Sequence, residues 1–295
     1  MTVGDSYFCA QPRFVLRCKQ QKRIAMHLSR SVFMSSVVAA ALFASSAQAA
    51  APDGFVGTFS ADYANVDHSG GGNADLWGLN GAGAFGLGMN DIGAEIDGSY
   101  HRLSVSNVDA NIWGIGGSVF WAPGYGRFGP SVSYTKFDFT GAASGIDAHA
   151  TTYGVFGEFF VNDRFTVGVK GGGTDGTVNV NGFGSGSGTG GYVGGELTGY
   201  AMPNLAFKAN VDYLNVGGGH VTNYGVNAEY LFSEATPISI FGGYQKTELS
   251  NGGGHANTWL VGFKFYTNGV GSLVDHHRTG TLGNIGTVQG LNYAF

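Results

Sequence analysis

Cysteine is missing from most of this chain. Both cysteines, Cys9 and Cys18, fall within the first 49 residues. The remainder, from residue 50 onward, forms no disulfide and has no thiol chemistry. Charge is scarce as well, at 12% of 295 residues. Of 15 Lys/Arg and 20 Asp/Glu, six and one precede residue 50, which leaves nine basic against nineteen acidic residues and a formal charge of −10. That balance excludes a nucleic-acid binder on bulk charge. Beyond residue 49 no apolar run approaches the ~20 residues of a spanning helix. The GxSxG and HExxH motifs are absent, as is a Gly-rich loop leading into a helix, so the common hydrolase, zinc-protease and phosphate-binding signatures have no support.

Glycine and aromatics are abundant, with 53 Gly, 22 Phe and 14 Tyr. The chain is too apolar and aromatic for a disordered Gly-rich polymer. Residues 1–49 read as a leader. Basic residues precede the apolar run SVFMSSVVAAALFA, and Ala47, Gln48 and Ala49 form a small-x-small cleavage site. This is the pattern of a cleaved secretory signal, with Met26 where a compact signal peptide would start.

From residue 50 to 266 the chain alternates with a period of two, the mark of strands with two different neighbours. In TNYGVNAEYLF, for example, Tyr224, Val226, Ala228, Tyr230 and Phe232 share one face, and Asn223, Asn227 and Glu229 the other. Twelve such segments are expected: Phe55–Val66, Leu76–Leu87, Ile92–Leu103, Asn111–Trp121, Arg127–Phe139, Thr151–Val161, Arg164–Val180, Tyr192–Ala201, Leu205–Val216, Val221–Phe232, Ile238–Leu249 and Asn257–Tyr266. Tight turns (GMND, APGY, VNDR, AMPN, SEAT) alternate with longer Gly-rich connections. The pattern predicts an all-β fold: a closed, antiparallel, up-and-down transmembrane β-barrel with short periplasmic turns and longer external loops.

The aromatics strengthen this expectation. Tyr63, Trp77, Tyr100, Trp113, Tyr134, Tyr153, Tyr213, Tyr224, Tyr244 and Trp259 each stand at the loop-side end of a strand, on the apolar face. Only the seventh and eighth strands lack a member. A second large residue often stands eight positions toward the tight turn, as in Phe55 with Tyr63 or Trp113 with Trp121. Eight residues at ~3.3 Å, tilted by ~45°, rise about 19 Å, close to the apolar band of such a barrel once the rings are added.

Two sets of charges stand out. Arg102, Lys136 and Lys246 lie two residues loop-ward of Tyr100, Tyr134 and Tyr244. At headgroup level they are candidates for outer-leaflet lipid contacts, namely lipopolysaccharide phosphates. The polar faces carry Glu95, Asp97, Glu158, Lys170, Glu196, Lys208, Glu229 and Lys264, most of them near the tight turns. Such a ring forms either a salt-bridged network that holds the wall or the constriction of a pore. Glu196 and Lys208 flank the AMPN turn and should face each other. His68, His149, His220 and His255 lie in or near the loops without an Asp/Glu/Cys frame, so no metal or other cofactor is expected. Asp97, Ser99 and His101 alternate along one face about 7 Å apart, too far for a direct Ser-His hydrogen bond, and no catalytic residue is assigned.

Residues 267–295 are a tail, periplasmic or inserted into the lumen. It ends in GLNYAF, with Leu291, Tyr293 and Phe295 alternating. Counting that end as a strand would give thirteen. Taken together, these features make the region from 55 onward resemble porin-like bacterial outer-membrane β-barrel proteins as a class. The resemblance implies a Gram-negative outer-membrane location, contact with lipid and lipopolysaccharide, and insertion by the barrel-assembly machinery. Function divides three ways: a narrow channel for small polar solutes, a structural or surface-interaction barrel with a plugged lumen, or a lipid-modifying enzyme. The first leads.

Overall fold

The computed structural model describes residues 51–283 apart from short stretches at 53, 70–71, 89–90, 106–107, 142, 181–183, 217, 234–235, 251–253 and 268–270. The leader and the terminal GLNYAF lie outside the described residues. Twelve strands run in order: β1 (Phe55–His68), β2 (Asn73–Gly86), β3 (Ile92–Val105), β4 (Val108–Trp121), β5 (Gly126–Gly141), β6 (Ile146–Asn162), β7 (Phe165–Val180), β8 (Gly184–Met202), β9 (Leu205–Val216), β10 (Gly219–Ser233), β11 (Thr236–Leu249) and β12 (His255–Tyr266). Each pairs antiparallel with its chain neighbours, and β12 pairs back onto β1 through eleven residue pairs from Thr58/Tyr266 to His68/Ala256. The barrel is closed, so no edge is left unpaired, which a wall in hydrocarbon requires.

The alternation read in the sequence sets the two faces. Val155 (61% exposed), Ile96, Ile115, Val132, Val211 and Val226 point out, while Ser60, Asn80, Thr152, Thr198 and Gln245 are buried inside. Several strands run further toward the loops than expected. β8 begins at Gly184, not Tyr192, with Ser185 paired to Asn179 of β7. Gly and Ser hide the period-two signal because they have almost no side chain, but their backbones still fill a ladder. A second difference concerns the inner face, the polar face of the sequence pattern. It also carries buried apolar clusters, one of Ala64, Leu76 and Leu260 and another of Phe120, Ala122, Phe156, Phe160 and Leu282. A filled interior needs such residues for packing, whereas an open water channel does not.

One helix, α1 (Leu273–Thr279), comes after β12. Ser272 caps it: its hydroxyl accepts from Asp275 N while the Asp275 carboxylate accepts from Ser272 N. A seven-residue helix has little stability of its own. Tertiary contacts hold it, with Leu273 fully buried beside Tyr200, Ala206, Leu231 and Tyr266.

Candidate functional site

The candidate site is the lumen at its tight-turn end, where α1 and residues 280–283 sit inside the wall. Leu273 N donates to Pro203 O at 2.7 Å. Arg278 donates to Asn162 O, and to Phe165 O at 3.1 Å. Leu282 N donates to Glu95 Oε2 at 2.6 Å. From β5, Arg127 reaches the helix end, donating to His277 O at 2.6 Å and Gly280 O at 2.8 Å. The described part of the tail is therefore lumenal, bonded to turns and strands around the ring.

Most of the inward charges resolve into pairs. Arg127 holds Glu158 (2.6 Å), Lys208 holds Glu196 (2.8 Å), Lys264 holds Glu229 (2.9 Å) and Lys170 holds Asp212 (3.0 Å). Glu196 and Lys208 face each other across β8 and β9, as their symmetric placement about AMPN implied. Glu158 pairs with Arg127 and not with Lys170, because Arg127 and Glu158 are direct register partners. Glu229 is the most heavily engaged: it also accepts from Ser239 Oγ (2.6 Å) and from Tyr266, and His277 Nε2 lies 3.3 Å away. Burial holds the His277 imidazole below its usual value, against the pull of Glu229.

Lys264 on β12 and Glu229 on β10 meet across β11, and two further contacts skip a strand over a glycine. Lys170 on β7 and Asp212 on β9 meet over Gly194 of β8, the register partner of both. Asp62 on β1 and His101 on β3 approach to 3.9 Å over Gly78 of β2 in the same way. A Cβ at Gly194 would collide with Asp212 Oδ1 and come within 2.7 Å of Lys170 Cε. Gly194→Ala is therefore expected to lower barrel stability by about 1–3 kcal/mol, read by urea unfolding of the folded chain; an unchanged midpoint would mean that the strand-skipping pair does not stabilise the wall.

Arg127, Asp62, Asp212, Tyr266, His277 and Arg278 were missed by the sequence reading. Arg127 and Asp212 were legible by parity, since Arg127 shares a face with Ser131 and Ser133, and Asp212 with Lys208. His277 and Arg278 carried no periodic signal.

Above the tail lies a cavity of about 130 Å³. Its walls include Ser60, Asp62, Asn80, Thr198, Asn227 and Gln245, and its floor His276, His277 and Thr281. His101, at the loop-ward end of the row Asp97, Ser99 and His101, approaches Asp62 of β1. Among the described residues no three His, Cys, Asp or Glu side chains cluster as metal ligands. His149 and His220 instead stack on the rings of Tyr134 and Tyr213.

At the loop-side rim the ten aromatics stand on the outer face, with Trp77 and Trp259 exposed by 63% and 64%. Three tyrosines use one arrangement that the sequence reading overlooked. Tyr63, Tyr100 and Tyr244 pair in register with Trp77, Trp113 and Trp259. Their hydroxyls donate to Asp75, Asn111 and Asn257, two residues loop-ward of each Trp, at 2.6, 2.9 and 2.7 Å. The signature is Ala-Asp/Asn-x-Trp at 74–77, 110–113 and 256–259. Each rim cation has a carboxylate: Arg102 with Asp109 (3.4 Å), Lys136 with Asp138 (2.7 Å) and Asp147 (3.2 Å), and Lys246 with Glu248 (2.9 Å).

A closed twelve-stranded antiparallel wall, apolar and aromatic outside and polar inside, defines the outer-membrane β-barrel class, and this chain has that fold. No protein-family model matches the sequence, and no curated protein matches it. Solved structures do. An outer-membrane channel from Pseudomonas putida F1 is similar at 11% identity, over 76% of this chain and 98% of that one, with a TM-score of 0.51. The β domain of the Bordetella autotransporter BrkA is similar at 12% identity, over 72% and 99%, with a TM-score of 0.47. The KdgM porin in complex with disordered oligogalacturonate is similar at 12% identity, over 70% and 98%, with a TM-score of 0.45. At these identities the likeness is one of fold.

Proposed function

We propose that this chain is a bacterial outer-membrane channel for small polar solutes, closed at its periplasmic mouth by its own segment 271–283. The observation that carries the reading is the polar cavity that ends on that segment, walled by hydroxyls, amides and balanced ion pairs. Such a lining suits small hydrated solutes, and paired charges at one level set a local field across the path. The tail is held by hydrogen bonds and by the buried Leu273 and Leu282, none of which belongs to a strand ladder, so it is separable from the wall without breaking one.

The second reading, a structural barrel with a permanently plugged lumen, draws on a different observation: each of Arg127, Lys170, Lys208 and Lys264 already has a carboxylate partner. An enzyme forms no part of the proposal. In the cell the chain would be exported by its leader, inserted by the barrel-assembly machinery, and oriented with the tight turns in the periplasm. Arg102, Lys136 and Lys246 would then stand at the outer-leaflet headgroups, where lipopolysaccharide phosphate competes with their carboxylates.

Planar-bilayer recording separates the two readings. The full mature chain is expected to be nearly silent. Leu273→Asp, which puts a charge in the apolar seat of α1, is expected to give steady ohmic currents, and adding Lys208→Glu should shift their ion selectivity. Electrically silent insertion of the folded Leu273→Asp protein would overturn the channel.

A further inference from the structure

Away from the ion pairs of the lumen, the inner face of β3 carries two carboxylates beside an uncharged inner face of β4. Glu95 and Asp97 are 1% and 3% exposed. They are two residues apart on one strand face, and Ser118 of β4 is the register partner of Glu95. Three oxygens here are buried without a hydrogen-bond partner: Glu95 Oε1, Asp97 Oδ2 and Ser118 Oγ. The neighbouring position on β4 is Gly116, the partner of Asp97, where any Cβ would strike the carboxylate. The wall is thus relieved to admit the Asp97 side chain, which then meets no donor.

The bases nearby are engaged elsewhere. The Arg127 fork is taken up by Glu158, His277 O and Gly280 O, and His101 faces Asp62. Among the described residues no basic group lies within ion-pair distance of Glu95 or Asp97. Two buried carboxylates side by side cannot both ionise without a counter-charge, and buried charges in proteins are paired or coordinate metal. The unsatisfied atoms are all oxygens, with no nitrogen or sulfur among them. That chemistry selects a hard cation over a transition metal.

We infer that Glu95, Asp97 and Ser118 form an intramural site for a divalent hard cation, calcium being the best match to two carboxylates and a hydroxyl. Backbone carbonyls or water complete the coordination shell that calcium requires. Because Glu95 Oε2 also accepts from Leu282 N, the ion would fix the carboxylate that holds the end of the tail. The site itself does not depend on whether the lumen conducts.

The test titrates calcium alone into the folded, chelator-stripped full chain by calorimetry, alongside thermal unfolding with calcium or with EDTA. Wild type is expected to bind one ion tightly and to melt higher with calcium. Asp97→Asn should weaken that site by more than about tenfold and should melt at one temperature in both conditions. Ser118→Ala, which keeps both carboxylates, should weaken it less. The rim variant Asp109→Asn should bind as wild type does. Heat-modified migration on gels verifies that each variant is folded. A wild type indifferent to calcium would overturn the inference and leave a protonated carboxyl in its place. So would a calcium response that survives in Asp97→Asn and disappears in Asp109→Asn.

Discussion

Replacing Arg127 by leucine is expected to destabilise the barrel by about 3–5 kcal/mol, the usual cost of removing one partner from a buried ion pair. The side chain is 1% exposed and joins β5 to two other parts of the molecule, Glu158 on β6 and the carbonyls of His277 and Gly280 in the tail. Without it the Glu158 carboxylate is stranded inside the wall, and two carbonyls lose their donor. The double variant Arg127→Leu/Glu158→Gln should recover a large part of the loss, because the stranded charge is then gone. Urea unfolding of the folded chain reads both. A single-variant loss below about 1 kcal/mol would place Arg127 with exposed ion pairs and remove it as the anchor of the tail. The same variant should loosen the tail, so trypsin is expected to cut after Arg278 faster than in wild type while the strands stay protected.

The second large effect lies on the other face of the wall. Val226 is 57% exposed, between Tyr224 and Phe232 of β10, in the band assigned to hydrocarbon. Val226→Arg is expected to cost about 1–3 kcal/mol in a bilayer, between the midplane penalty for a cation in such a barrel and the smaller one near an interface. Its chain neighbour Asn227 lines the cavity, and Asn227→Ser is expected to change stability by less than about 0.5 kcal/mol. Urea titration in lipid vesicles followed by tryptophan emission compares the two. Equal costs would mean that Val226 does not face lipid. The contrast also tests register, since a slip of one residue would exchange the faces and move Glu229 into hydrocarbon.

Much of the wall was legible in advance because a membrane barrel writes its two solvents directly into its strands. The ten rim aromatics, the twelve segments and the inward course of Glu196, Lys208 and Glu229 all come from a period of two. The signal failed where side chains are small. The Gly/Ser stretch 184–190 pairs as strand although its alternation is invisible. It failed again where a contact skips a strand: nothing local in Lys170 points to Asp212, because the link is a glycine on the strand between them. The tyrosine hydroxyls of the rim were a different omission. Their Asp/Asn acceptors recur at a fixed offset from Trp, a pattern present in the sequence and readable once register is known.

Alternation and the twin belts of large side chains were enough to determine the class of fold and the face of nearly every strand residue. Each of these depends only on spacing along one strand. What the lumen holds was decided by tertiary structure alone. The tail has no periodicity, and α1 is too short to be stable outside the wall, so its place depends on Arg127, Glu95 and Pro203, which lie 70 to 187 residues away. Partner choice among the inward charges has the same origin. Register across twelve strands and the glycines between them set which acid meets which base, and which two carboxylates on β3 are left with none.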